Sequence, residues 1–150
     1  MSLERDIEIL KAIPFFEGFS SDALKLLAFG AESQRYVNET TIFRAGEETN
    51  YGLVIRLGSV LLQNGEGETV ERCSKGTLIA AYAFLAPTTH LYTGIAQNSC
   101  EAMKITKPVF TRVLDAHPEL AKLLHERIAV SMQTMAHDLS PVAVSLRERL

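Results

Sequence analysis

The residues with which this sequence could do chemistry are four histidines, two cysteines and scattered carboxylates. His90, His117, His125 and His137 have no histidine four positions away, and no His-x-His pair occurs in the β-rich region, so a metal site has no frame. Surface or capping roles suit them better, and nothing else in the chain supports an axial haem role for His90 or Met103. Cys73 is flanked by Arg72 and Lys75, the setting that activates a thiol, whereas Cys100 has no cation beside it. Two buried thiols are the plainer expectation. Gly-x-Ser-x-Gly, a phosphate loop and carboxylates paired at strand ends are all missing, so the chain reads as a non-enzyme. The most telling stretch is one without charge. From Gly76 to Cys100, twenty-five residues pass without one Lys, Arg, Asp or Glu.

The remaining chain must position that stretch. Its 150 residues suffice for one domain with a proper core. Fifteen basic against eighteen acidic residues give −3, which excludes attachment to nucleic acid by bulk charge. Two cysteines cannot build a four-cysteine metal site and fit a reducing, cytoplasmic setting. Glu4, Arg5, Asp6 and Glu8 leave no apolar signal segment at the start. No run is apolar enough for a membrane span; the densest, Leu78–Ala86, is short.

Residues 1–35 read as helices: Leu3, Ile7 and Leu10 share a face until Ile13-Pro14, and Ser20 or Ser21 caps a second helix that ends at Gly30. Residues 36–106 change texture. Short β-rich runs at Thr41–Arg44, Tyr51–Leu57, Ser59–Gln63, Thr69–Cys73, Leu91–Gln97 and Ala102–Thr106 alternate with glycine turns, Asn64-Gly65 among them. This spacing predicts an antiparallel roll with a short helix inserted near 80–85. Residues 107–150 return to helix: Thr106 caps one, and Pro118 opens a longer one carrying Leu120, Leu124, Ile128, Met132 or Met135, and Leu139. Ser140-Pro141 starts a further segment with Val142, Leu146 and Leu150. The fold class is thus mainly β: an antiparallel β-roll of the jelly-roll kind with N-terminal helices and a long C-terminal helix.

Three segments carry a resemblance: Ile13-Pro14-Phe15-Phe16 with Ala23-Leu24, then Thr41-Ile42-Phe43-Arg44-Ala45-Gly46-Glu47, then Tyr51-Gly52-Leu53-Val54-Ile55-Arg56-Leu57-Gly58-Ser59-Val60, followed by Gly76. In this order and spacing, Ile13 to about Leu139 resembles the cyclic nucleotide-binding domain of the catabolite-activator (Crp/Fnr) family. Gly46, Gly58 and Gly76 stand where a tightly wound roll needs positive φ or close strand approach, and Asn38 stands where the family often has another glycine.

The resemblance implies a ligand cassette over Gly76 to Gln97, in which a glycine opens the turn, a glutamate takes the ribose hydroxyl and an arginine pairs with the cyclic phosphate. Here the glutamate position falls on or beside Ala81, and the arginine position on Leu91 or His90. Candidate ligand-binding residues are therefore Gly76, Leu78, Ala80, Ala81, Tyr82, His90, Leu91, Tyr92 and Thr93. A phosphate leaving water needs a cation or several donors, and the cassette offers only helix amides, hydroxyls and one imidazole. Cyclic AMP is expected to bind weakly or not at all, and no cofactor is implied with certainty. Two readings follow. One is an altered effector pocket for a neutral or apolar ligand. The other is a degenerate pocket packed shut by Leu91, Tyr82 and Phe84.

As in the family, the long helix is expected to form a homodimer through Leu124, Ile128, Met135 and Leu139, whose spacing suits a two-stranded coil. The family's winged helix-turn-helix would need more residues than the ten after Ser140, so this chain is expected to make no nucleic-acid or membrane contact itself. The function expected is a non-catalytic sensor domain; the alternative is a ligand-free dimerisation or protein-docking scaffold.

Overall fold

The computed structural model describes residues 3–137, with side chains as far as Arg127. Helix α1 (Leu3–Lys11) is followed by a 3-10 turn at Pro14–Phe16 and by α2 (Ser21–Gly30). Ser20 caps α2, its Oγ accepting the Ala23 amide at 3.2 Å. Eight strands follow: β1 (Glu32–Tyr36), β2 (Thr41–Phe43), β3 (Glu48–Thr49), β4 (Tyr51–Gln63), β5 (Thr69–Ser74), β6 (Leu78–Ile79), β7 (Thr88–Thr89) and β8 (Thr93–Thr106). Helices α3 (Lys107–Ala116) and α4 (Pro118–His137) close the described chain. Thr106 caps α3 and Pro118 opens α4, as the residue types dictate.

All pairings are antiparallel. Strands β4 and β8 form the spine; β1 and β2 pair with β8, β5 and β6 pair with β4, and β3–β7 make a separate ribbon. The core lies in two parts. Inside the roll, Phe43, Leu53, Ile55, Val60, Ile79, Cys100 and Ala102 pack together. At the helical end, Leu10, Phe16, Leu27, Phe110 and Leu124 pack on Val54, Met103 and Ile105. Strand β4 thus sends Leu53 and Ile55 one way and Val54 the other. Both faces are buried there, which explains its unbroken apolar run.

Four expectations are revised. Residues 32–36 are strand, not the end of a helical region; Glu-Ser-Gln-Arg-Tyr lacks apolar alternation because β1 is a largely exposed edge strand, and only its pairing with β8 reveals it. The expected turn at Leu57-Gly58-Ser59 is a bulge inside one long strand. Likewise the runs on either side of Asn98 join as β8. Finally, the positive φ near residue 38 belongs to Glu39 (69°), while Asn38 accepts the Asn98 amide through its side chain at 2.7 Å.

Gly58 has φ +78°, and a Cβ there would lie 2.5 Å from the Ser99 carbonyl oxygen. Both the backbone conformation and the close approach of the Ser99–Cys100 main chain of β8 demand glycine. Gly58→Ala should therefore cost about 2–3 kcal/mol in denaturant unfolding, from left-handed strain plus a clash with main chain that cannot swing away.

Candidate functional site

The cassette is stitched to the spine at its start. Gly76, at φ +87°, donates its amide to the Ile55 carbonyl at 2.8 Å, and the Ile55 amide returns a bond to the Thr77 carbonyl at 3.0 Å. Leu78 and Ile79 then pair with Val54 and Leu53. Ala80 is left-handed, at φ 66° and ψ 41°, and turns the chain into a 3-10 helix over Ala81–Phe84. The helix expected near 80–85 is therefore four residues in 3-10 form. Ala81 and Ala83 are both fully buried. So short a helix presents little dipole to an anion.

The far side of the cassette is held by a loop that sequence reasoning does not place there. The His90 amide donates to the Glu47 carbonyl and the Gly46 amide to the His90 carbonyl, each at 2.8 Å. The Ala45 amide donates to Thr93 Oγ1 at 3.0 Å. Glu47 in turn accepts the Arg44 amide on its Oε1 at 2.8 Å. Arg44-Ala45-Gly46-Glu47 is part of the family resemblance; its role opposite the cassette becomes visible only through long-range hydrogen bonds. They lay the Arg44–Glu47 loop alongside a segment that has no charge of its own.

His90, already a candidate from its place in the cassette, is buried rather than presented to a ligand. It is 3% exposed, its ring stacks on Phe43 with centroids 4.0 Å apart and planes 14° from parallel, and Tyr51 meets it edge-on at 5.7 Å. Among the described residues neither ring nitrogen has a hydrogen-bond partner. Burial lowers its pKa below the ordinary 6.5, with the Glu47 carboxylate pulling weakly the other way. Phe43 in turn fits only because residue 94 is glycine: a Cβ there would sit 2.5 Å from the Phe43 ring.

Of the residues expected to plug a degenerate pocket, Leu91 and Phe84 do not do so. Leu91 is 49% exposed, since the loop that carries it turns outward after His90. Phe84 points away into the helical core, stacked on Phe110 at 4.3 Å and 7°. Tyr82 is half-buried beside the roll core, as is Tyr92. Phe43 and His90 occupy the interior instead. Of the other candidates, Leu78 and Ala81 belong to the helical-end core, whereas Ala80 lies in the roll core with Tyr82 and Tyr92 packed against it.

Of the residues expected at a dimer interface, Leu124 is buried in this chain's own helical core. A single chain claims it because α4 packs back over α3 and the Pro14–Phe16 turn. The side chains of Ile128, Met132 and Met135 lie outside the described side chains; Leu139 and the segment holding Val142, Leu146 and Leu150 lie outside the described residues. Arg127 fastens α4 to the N-terminal turn, donating to the Phe15 carbonyl at 2.8 Å and to the Glu17 carbonyl. Cys73 and Cys100 are buried thiols, and burial together with Glu101 pushes Cys100 above its ordinary pKa, away from redox reactivity. No three His, Cys, Asp or Glu side chains cluster as metal ligands among the described residues, and no described helix is long and apolar enough to cross a membrane.

The architecture is a β-roll clasped by helices, in which a glycine turn leads into a short 3-10 helix and a long return strand. The sequence profile of the cyclic nucleotide-binding domain matches residues 33–117, and the chain belongs to that family. A cyclic nucleotide-binding-like protein from Brucella abortus is 32% identical over 73% of this chain and 97% of its own, with a TM-score of 0.68. The N-terminal domain of a transcriptional regulator from Streptomyces coelicolor A3(2) shares the fold at a TM-score of 0.78 and 18% identity, covering 86% of this chain and 92% of its own. So does the sensor domain of the transcriptional regulator DNR from Pseudomonas aeruginosa, at 0.75 and 17%, covering 91% and 94%. No protein of curated function matches the chain in sequence.

Proposed function

We propose that the chain is a non-catalytic sensor domain of the Crp/Fnr type, cytoplasmic, whose cassette binds cyclic AMP weakly or not at all. One observation carries the reading: the cassette wall from Gly76 to Cys100 contains no charged residue, and the imidazole nearest the expected phosphate position is buried against Phe43. Each missing charge-assisted hydrogen bond removes about 1.5–3 kcal/mol, one to two decades of affinity. Isothermal titration with cyclic AMP and cyclic GMP should give dissociation constants above ~100 µM or no heat at all. Low-micromolar binding overturns the reading.

In this reading the signal leaves through the helical end. Phe84 of the cassette stacks on Phe110 of α3, and α3 leads into α4. A shift of the Ala81–Phe84 turn would alter how α4 packs, moving the protein between two existing arrangements. The output is a homodimer formed through the long C-terminal helix, and with Leu124 internal the seam expected from the sequence falls on Ile128, Met135 and Leu139, beyond the described side chains.

The stacked Phe43–His90 pair also favours a second reading, a ligand-free dimerisation or docking scaffold, because the pair fills space an effector would need. A thermal-shift screen of nucleotides, haem and small metabolites separates the two: a stabilising ligand supports the sensor, none supports the scaffold.

A further inference from the structure

His90 is a polar side chain placed where polar side chains are not normally left. It is almost fully buried, both ring nitrogens lack partners among the described residues, and its ring lies flat on Phe43. Buried polar atoms nearly always find a partner, so an imidazole left with none points to a role that needs it held uncharged. Its main chain is the clasp between two loops, bonding Gly46 on one side and Glu47 on the other. We propose that His90 is an acid-operated latch: the neutral ring, seated on Phe43, holds the 86–93 loop against the Arg44–Glu47 loop, and protonation drives the ring out of its seat and frees the cassette.

The groups facing the ring set the sign. From its own segment comes no charge, since none exists between Gly76 and Cys100. From β2 comes Phe43, which is uncharged. From β4 comes Tyr51, whose phenol is held neutral by burial, with Lys104 of β8 over its ring at 4.5 Å. From the facing loop comes Glu47, and Arg44 on the same loop is exposed, its amide donating to the Glu47 carboxylate. Glu47 alone favours an imidazolium, and burial outweighs it. An imidazolium on Phe43 would gain some cation–π attraction, yet it would bury two unpaired N–H donors and a charge, and that desolvation costs more than the attraction returns. The unfolded chain takes up its proton near 6.5 and the latched form at lower pH. Stability and closure are therefore complete above that value and are lost as pH falls below it. The latch rests on the sensor reading only for what it admits.

Hydrogen–deuterium exchange on the whole chain tests it without any ligand. Between about pH 7.5 and about pH 5, after correction for intrinsic exchange, protection of residues 44–47 and 88–93 should fall by about thirtyfold relative to β4 and β8, since each pH unit below the titration near 6.5 changes the open population about tenfold. In His90→Phe, which keeps the stack and cannot be protonated, the ratio should stay constant. His90→Gln serves if that variant does not fold. The proposal is overturned if wild-type protection of these loops is unchanged by pH, or if the variant loses it equally. It is also overturned if the His90 ring proton resonances titrate at or above 6.5, as an exposed histidine does. The ligand screen decides the sensor reading separately.

Discussion

Asp6→Ala should remove about 3–5 kcal/mol of stability, the largest loss expected from any single polar substitution in the described chain. Arg56 is 8% exposed in the middle of β4, and it is held by one fork: Nε and Nη2 each donate to a different Asp6 carboxylate oxygen at 3.0 Å. Nη1 donates to Ser33 Oγ at 2.9 Å. The three contacts tie α1, β1 and β4 together, so the pair is what docks the N-terminal helix on the roll. Removing the carboxylate leaves a buried guanidinium with only a hydroxyl for company. Chemical denaturation reads the loss directly. The double variant Asp6→Leu with Arg56→Met should recover most of it, because the penalty belongs to the orphaned charge rather than to a net gain from the pair. Equal instability of single and double variants would contradict this account.

Phe84→Ala should cost about 3–5 kcal/mol as well, for a different reason. The ring is 3% exposed, lies parallel to Phe110 at 4.3 Å and meets Phe15 at 5.9 Å. It also covers Gly52, where a Cβ would come within 2.5 Å of its Cζ. Truncation opens a cavity that β4 cannot close, since a spine strand buried on both faces has no freedom to collapse. The effect should reach beyond stability. Amide resonances of α3 should respond to Phe84→Ala and to Phe84→Leu, while those of β5, on the opposite edge of the sheet, stay still. If α3 is silent, the proposed route from cassette to helices fails even though the stability loss stands.

These two sites differ in how far the sequence discloses them. Phe84 is visible as part of an apolar, proline-stopped segment, yet its direction is not: the sequence suggests a plug for the cassette, and the ring instead leaves it for Phe110. A 3-10 turn and an α-helix aim the same residue differently, and Phe84 lies over Gly52, where a Cβ would come within 2.5 Å of its ring. Asp6 reads as one of several charges on a helical face. Nothing local marks it as the partner of Arg56, fifty positions away. His90 carries its type and place in the cassette openly, but its burial follows from a gap above Gly94 that Phe43 fills and from two backbone bonds to a remote loop.

By itself the sequence determined the order of helix, roll and helix, the glycine turns at 46 and 76, a serine cap at 20 or 21 and the cap at Thr106, and a cassette stripped of charge. All of these rest on local conformational preference or on composition, which need no knowledge of what lies across the fold. The tertiary structure alone decided that Gly58 bulges within a continuous strand, that Leu124 faces inward, and that an imidazole rather than Leu91 fills the roll. Those outcomes depend on which surfaces meet at long range, where burial free energy outweighs the small preferences that neighbouring residues express.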